Sequence, residues 1–165
     1  MIRANQPHIE NLIGRPIHEL DSPALLLDLA ASDRNIAQLS QFFSDKHAQL
    51  RPHFKNHKCS TLARRQLDAG SAVGITCAKL GEAEILADNG FNDILIANQI
   101  VGDIKLRRLS DVAQKTNVTV AIDHLEQART LSQMASATNI TVGVLVEVDI
   151  GMNRCGIEPG NAALE

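Results

Sequence analysis

Val142-Gly143-Val144-Leu145-Val146-Glu147-Val148 is apolar on both faces of an extended chain, except at Gly143 and Glu147. A strand with this pattern is typical of a parallel sheet that is covered by helices on one side and packed on the other. Short aliphatic or β-branched runs recur upstream of it and alternate with longer segments that have helical periodicity. The sequence therefore predicts an α/β protein built from repeated strand–helix units.

The predicted elements follow one another without a long linker. We expect strands at 24–29, 49–55, 72–76, 93–97, 118–122 and 140–148, and helices at 32–44, 60–69, 80–89, 102–115 and 124–138. Ser32 is the expected N-cap of the first helix, with Ile36, Leu39 and Phe43 as its buried stripe. The first strand–helix junction lacks G-x-G-x-x-G, which favours a (β/α) barrel over a doubly wound, dinucleotide-binding sheet.

Composition places the chain among ordinary soluble globular proteins, with 44% hydrophobic residues, 21% charged residues and a net charge of −3. The near absence of aromatic residues and of a basic excess argues against nucleic-acid binding. We predict a polar leader at 1–20 without a signal or membrane segment, one barrel domain at 21–165, and a cytoplasmic location. Cys59, Cys77 and Cys155 are far apart, which indicates three reduced thiols.

The run Arg51-Pro52-His53-Phe54-Lys55-Asn56-His57-Lys58 places imidazole and ammonium groups together at the end of a predicted strand. If the strand extends to His57, then Arg51, His53, Lys55 and His57 share one face. A lysine beside other cations loses part of its preference for the charged form, as a Schiff-base lysine requires. Lys55 is therefore the candidate nucleophile, and the alternative is a solvated basic loop.

Other polar residues also follow predicted strands, where barrels place their chemistry. They are Thr76, Cys77 and Lys79, then Asn98 and Gln99, then Asp123 and His124, and finally the run from Asp149 to Gly156. In that last run Gly151 and Gly156 permit tight turns that would present Arg154, a permanent cation that can donate to a phenolate, carboxylate or phosphate. The alternative is a glycine-bracketed surface loop.

Two further patterns have simpler interpretations. The pair His53-x-x-x-His57 has the spacing of metal ligands on a helix, but Pro52 and the strand context argue against a helix, so we predict no metal site in this chain. Cys77 and Cys155 lack His and Asn partners in a recognisable order and are interpreted as buried or incidental thiols. Asp123-His124 is expected to cap the helix that follows.

Three motifs in order resemble the low-specificity D-threonine aldolases. They are Arg51 to Cys59, Cys77-Ala78-Lys79-Leu80-Gly81-Glu82-Ala83, and Glu147 to Gly156. The wider group is the fold-type III pyridoxal-phosphate enzymes, which include D-serine dehydratase and alanine racemase. The resemblance runs from about Asp21 to the end of the chain. It implies a partial (β/α)8 barrel of the alanine racemase N-terminal type, with about the first five strands present and the barrel not closed.

By this resemblance Lys55 would form the internal aldimine with pyridoxal phosphate, and Arg154 would lie near the phenolic oxygen of the cofactor. His53 and His57 would lie beside them in the cofactor site. The implied reaction is retro-aldol cleavage of a small D-β-hydroxy-α-amino acid to glycine and an aldehyde. The alternatives are a D-serine dehydratase-like or D-3-hydroxyaspartate-type lyase, and a non-catalytic pyridoxal-phosphate-binding protein of the same fold.

The resemblance also implies that the chain is an N-terminal fragment. A closed eight-unit barrel needs ~200 residues or more, and the chain has 165. The complete enzyme is expected to be a homodimer whose phosphate-binding loops, catalytic base and divalent-metal site, for Mn or Mg, lie beyond Glu165. An open sheet of this kind is expected to expose apolar edges and faces.

Overall fold

The computed structural model of the protein describes residues 12–164. The chain divides into two compact units, residues 1–34 and 35–165. Most of the predicted leader at 1–20 lies outside the described residues, and its boundary with the barrel domain stays a prediction. The described part of the first unit contains a short 3-10 turn, Ile17–Glu19, and an irregular segment that leads into helix α1, Leu29–Phe43.

Three predictions near the start of the chain are wrong. Residues 24–28 form no strand, because no segment among the described residues supplies the backbone hydrogen bonds that define one. The side chains of Leu25, Leu26 and Leu27 are exposed. Helix α1 begins before Ser32, because the Asp28 side chain accepts a hydrogen bond of 2.9 Å from the Ala31 N–H and takes the capping position. Its predicted stripe is not buried either, and Leu39 is 47% exposed.

The second unit is a parallel sheet with a helix after each strand. In chain order its elements are α2 (Ser60–Asp68), β1 (Ile75–Cys77), α3 (Leu80–Asp88), β2 (Asp93–Ile96), α4 (Asp103–Ala113), β3 (Asn117–Ile122), α5 (Leu125–Thr138), β4 (Gly143–Val146) and the short α6 (Asn161–Leu164). These bounds agree with the predicted helices after residue 60 to within about two residues at each end, which is the usual uncertainty of helix ends.

The strand order in space is the same as the order in sequence, β1-β2-β3-β4, and every neighbouring pair is parallel. Residues 50–53 add a fifth extended segment beside β1 through the parallel bridges Leu50 to Ala72 and His53 to Thr76. A doubly wound sheet reverses its order at a switch point, and no reversal occurs among these strands. The arrangement is an open segment of a (β/α) barrel with five parallel members, as the sequence predicts.

One face of the sheet forms the core with the helices. Ile75, Ile94 and Val118 are paired in register, and Cys77, Ile96 and Val120 form the next row. These side chains are at most 3% exposed and pack in one cluster with apolar residues of α3, α4 and α5. Edge strand β4 differs, since Val144, Leu145 and Val146 are 43–55% exposed. The prediction of a strand packed on both faces is therefore wrong at β4, whereas the predicted exposure of apolar surface at an open sheet is confirmed.

The opposite face holds an ion pair near the amino ends of the strands. The Arg51 guanidinium donates to both carboxylate oxygens of Asp93, at 2.8 and 2.9 Å, across the intervening residue Gly74. A Cβ at Gly74 would overlap this guanidinium, so only glycine leaves room for it. Arg51 therefore joins the edge segment to β2 and lies away from the carboxyl ends where Lys55 is found.

Candidate active site at the carboxyl edge of the sheet

Five chain segments meet the same edge of the sheet, because parallel strands all end on one side. They are the turn after the edge segment, residues 54–58, and the segments that follow β1, β2, β3 and β4. The candidate residues named from the sequence lie on these segments. In α/β proteins ligands bind outside the carboxyl ends of the strands, so this edge is the candidate site.

Lys55 lies on a tight turn and not on the strand. The extended segment ends near His53, and the chain turns at 54–57, with the Lys58 N–H donating to the Phe54 carbonyl at 2.9 Å. Lys58 has a φ of 50°, which is unusual for a residue other than glycine. Phe54 is 3% exposed and anchors the turn in the core, while Lys55 is exposed. The predicted single face from Arg51 to His57 is therefore wrong beyond His53, because the turn changes the side-chain direction.

The two histidines hold this turn. His53 Nδ1 accepts a hydrogen bond from the Lys55 backbone N–H at 3.2 Å, and His57 Nδ1 accepts one from the Cys59 N–H at 3.1 Å. His57 Nε2 lies 3.2 Å from Gln66 Oε1, an atom that can only accept, so this network assigns the His57 proton to Nε2. Burial, and then the positive charge of Lys55, lower the pKa of His53. Both imidazoles thus shape the backbone around Lys55.

Glu82 connects the turn to the end of β1. Its side chain is 9% exposed, and one carboxylate oxygen accepts a hydrogen bond of 2.8 Å from the Ala78 N–H. The other carboxylate oxygen lies 3.4 Å from Lys58 Nζ. The same carboxylate contributes, after burial, to raising the pKa of the Cys77 thiol to about 12. Cys77 is fully buried, so the interpretation of this thiol as a core residue agrees with its environment.

A cluster of side chains joins the ends of β2, β3 and β4, and we call Gln99, Asp123 and Glu147 the carboxylate clamp. Gln99 Nε2 donates to Asp123 Oδ2 at 2.9 Å and to Glu147 Oε2 at 2.8 Å. Gln127 Nε2 donates to the second oxygen of Asp123 at 2.9 Å. His124 caps α5 by accepting from the Glu126 N–H, so the predicted capping role is confirmed for His124.

The clamp also binds the loop that follows β4. The Gly156 N–H donates to Asp123 Oδ2 at 3.1 Å, and the Cys155 thiol donates to Glu147 Oε1 at 3.0 Å. On the other side of Arg154, Asp149 Oδ1 accepts from the N–H groups of Gly151 and Asn153 at 2.9 and 3.1 Å. These backbone hydrogen bonds lower the pKa of Asp149.

Arg154 itself is exposed, and no carboxylate within residues 12–164 forms an ion pair with it. The structure therefore brings Lys55 and Arg154 to the same edge of the sheet, at opposite ends of the strand order, and gives no direct contact between them. In the described part of the chain, no group of three or more His, Cys, Asp or Glu residues is arranged to hold a metal ion. None of the described helices combines the length and apolar character that crossing a bilayer requires.

Sequence reasoning placed Gln99 and Asp123 at strand ends but missed the clamp. From the sequence alone, Asp123 is predicted to cap a helix, and Glu147 only interrupts an apolar strand. The signal was present, since a carboxylate or amide follows three successive strands. Strand order decides whether such residues meet, and neighbouring parallel strands place them within hydrogen-bonding distance.

Comparison with known proteins gives a consistent result. Residues 27–165 match the family described as alanine racemase, N-terminal domain. A D-threonine aldolase of Arthrobacter sp is 40% identical over 145 residues, which are 87% of this chain and 38% of that protein. A 3-hydroxy-D-aspartate aldolase of Paracoccus denitrificans is 33% identical over 158 residues, 95% of this chain and 41% of that protein.

Among solved structures, the D-threonine aldolase from Filomicrobium marinum superposes with a TM-score of 0.86 at 43% identity. The match covers 90% of this chain and 40% of the solved chain. The chain thus spans about two fifths of the length of these relatives. The predicted resemblance and the partial-barrel fold are both confirmed by these matches.

Proposed function

Because this chain belongs to the alanine racemase N-terminal domain family, we propose that it forms part of a pyridoxal-phosphate-dependent carbon–carbon lyase that holds its cofactor on Lys55. The observation that carries the proposal is the position of Lys55. Its amine is exposed on a turn that two imidazoles and a buried phenylalanine hold at the carboxyl edge of a parallel sheet. A covalent lysine needs such a fixed backbone and an open approach.

The residues at this edge fit pyridoxal phosphate by their chemistry. Lys55 supplies a primary amine for the aldehyde group, and Arg154 supplies a guanidinium that no described carboxylate neutralises and that can donate to an anionic oxygen. When bound, pyridoxal phosphate acts as an electron sink for a carbanion at the substrate Cα. His53 and His57 support the site by holding the Lys55 turn, and their proximity to the cofactor stays a prediction.

The proposed reaction breaks the Cα–Cβ bond of a D-β-hydroxy-α-amino acid. The β-hydroxyl loses its proton to a base and becomes the carbonyl of the released aldehyde, and Cα gains a proton to give glycine. The base and a divalent metal, Mn or Mg, are assigned by this proposal to residues outside the present chain. A homodimer and a cytoplasmic location belong to the same proposal for the whole protein.

The two similar aldolases are named for different substrates. The proposal therefore leaves two candidate groups on the substrate Cβ. D-threonine carries a methyl group on Cβ, and 3-hydroxy-D-aspartate carries a carboxylate. Both substrates share the bond that breaks, so the two similarities support the reaction more strongly than the substrate. A dehydratase would break the Cβ–O bond instead, and its products would be a keto acid and ammonia.

The test is covalent trapping of the cofactor by the 165-residue chain. The protein is mixed with pyridoxal phosphate and reduced with borohydride, and the modified lysine is identified by peptide mass spectrometry. Lys79→Ala is the matched control, because Lys79 is also exposed and also follows a strand at this edge.

We expect a reduced adduct on Lys55 that is absent in Lys55→Ala and unchanged in Lys79→Ala. Label spread evenly over many lysines, with no preference for Lys55, would overturn the assignment of the cofactor lysine. In the whole protein, release of glycine from D-threonine supports carbon–carbon bond cleavage, whereas release of ammonia without glycine would contradict it and indicate a dehydratase.

A further inference from the structure

The loop that carries Arg154 is held on both sides by carboxylates, yet none of the described carboxylates pairs with Arg154. Asp149 binds the backbone before Arg154, and Asp123 and Glu147 bind Gly156 and Cys155 after it. An arginine so close in sequence to three bound carboxylates would ordinarily be expected to form an ion pair with one of them. Asp123 and Glu147 already accept hydrogen bonds from other groups.

All four oxygens of Asp123 and Glu147 accept hydrogen bonds. Gln127 and Gln99 occupy the two oxygens of Asp123, and Gly156 adds a second donor on the oxygen that Gln99 binds. Gln99 and Cys155 occupy the two oxygens of Glu147. Gln99 donates to both carboxylates. Its amide is neutral, so it binds them without adding a positive charge beside Arg154.

We propose that the carboxylate clamp is a positioning device, in which Gln99 keeps Asp123 and Glu147 bound to the loop and so leaves the Arg154 guanidinium free for an anionic oxygen of the ligand. This rests on the proposed function for the identity of that ligand, pyridoxal phosphate. The arrangement of the clamp and the unpaired state of Arg154 come from the contacts above. Gln99, Asp123 and Glu147 act through the loop and are positioning residues.

The experiment measures the chain without cofactor, so that it is independent of Lys55. Gln99→Leu removes both donated hydrogen bonds at similar side-chain size. Gln114→Leu is the matched control, because Gln114 is an exposed glutamine at the end of α4. Two readouts are compared: the hydrogen-exchange rate of peptides covering 149–156, and the rate at which phenylglyoxal modifies Arg154, measured by peptide mass spectrometry.

In Gln99→Leu we expect exchange in 149–156 to become at least severalfold faster. We also expect Arg154 modification to become severalfold slower, because a released carboxylate can then pair with the guanidinium. Gln114→Leu should change neither rate. Faster exchange with unchanged Arg154 reactivity would overturn the proposal, because Gln99 would then only stabilise the loop. Unchanged exchange would overturn it as well.

A second variant keeps the test decisive if Gln99→Leu fails to fold. Cys155→Ala removes one anchor of the loop without altering the strand ends, and it should shift both rates in the same directions by a smaller factor. Unchanged rates in folded Cys155→Ala would count against the clamp. Failure of borohydride trapping on Lys55 would overturn the proposed function and leave these two rates unaffected, so the two proposals fail separately.

Discussion

Replacement of Gly143 by alanine tests how closely β3 and β4 are packed beneath the clamp. Gly143 is paired in register with Thr119. A Cβ at Gly143 would lie 2.5 Å from Thr119 Oγ1 and 3.2 and 3.3 Å from Thr119 Cβ and Cγ2. The oxygen contact is about 1 Å shorter than an ordinary nonbonded contact, so either the threonine side chain or the edge strand must move.

Two effects of opposite sign set the magnitude. Overpacking of this kind costs about 1–3 kcal/mol of the free energy of unfolding. Loss of glycine from the unfolded chain returns about 0.4–1 kcal/mol. Gly143→Ala should therefore destabilise the chain by about 1–2 kcal/mol. That loss corresponds to about 2–8 °C in Tm, at 2–4 °C per kcal/mol for a chain of this size.

The assay is urea unfolding of Gly143→Ala in two backgrounds, wild type and Thr119→Ala. In the second background the obstructing oxygen and methyl group are gone, so the glycine replacement should be neutral or slightly stabilising. The expected coupling between the two positions is therefore at least about 1 kcal/mol. Additive effects, or no loss of stability in the wild-type background, would refute the close packing of this strand pair.

Two other predictions concern the core and its charges. Arg51→Met should lower the free energy of unfolding by about 1–3 kcal/mol, because Asp93 loses both donors of a half-buried ion pair. Lys115→Met, which breaks the exposed ion pair to Asp88, should lower the free energy of unfolding much less, because solvent screens that pair, and equal losses in urea unfolding would contradict the difference in burial. The pKa of Cys77, raised by burial to about 12 from 9.0, favours the protonated thiol in the folded state. Stability should therefore fall as pH rises above about 9, because the unfolded chain then releases this proton and the folded one keeps it. Urea unfolding between pH 8 and about 10.5 should give a flatter profile for Cys77→Ala, and an equally steep profile would refute this assignment.

Local patterns predicted most of the second unit. The helix at 80–89 was expected from its periodicity and from the glycine that follows it, and α3 ends at Asp88 with Gly90 at a φ of 73°. The strands at 93–97 and 118–122 were recognised because their β-branched and aliphatic residues are contiguous in sequence. Such signals depend on neighbours within a few residues, so they can be read without knowledge of the fold.

The errors occurred where a distant partner decides the structure. Residues 24–29 have the composition of a strand, but a strand requires a pairing neighbour, and the described residues place none beside them. Gln99 could be assigned to a strand end, yet its hydrogen bonds join residues 24 and 48 positions apart, which only the strand register brings together. The sequence pattern predicts Lys55 on a strand, but the chain turns at 54–57, where two histidine side chains accept hydrogen bonds from the backbone.

The identity between strand order in space and strand order in sequence has a consequence for how the protein is made. Each strand pairs with the strand that precedes it in the chain, so every new strand finds its template already present as the polypeptide leaves the ribosome. Among the strands within residues 12–164, none pairs with a strand that is distant in sequence, which keeps the loops that must close short. Within the described sheet, β4 is the last strand in this order and forms one edge, where Val144, Leu145 and Val146 are exposed.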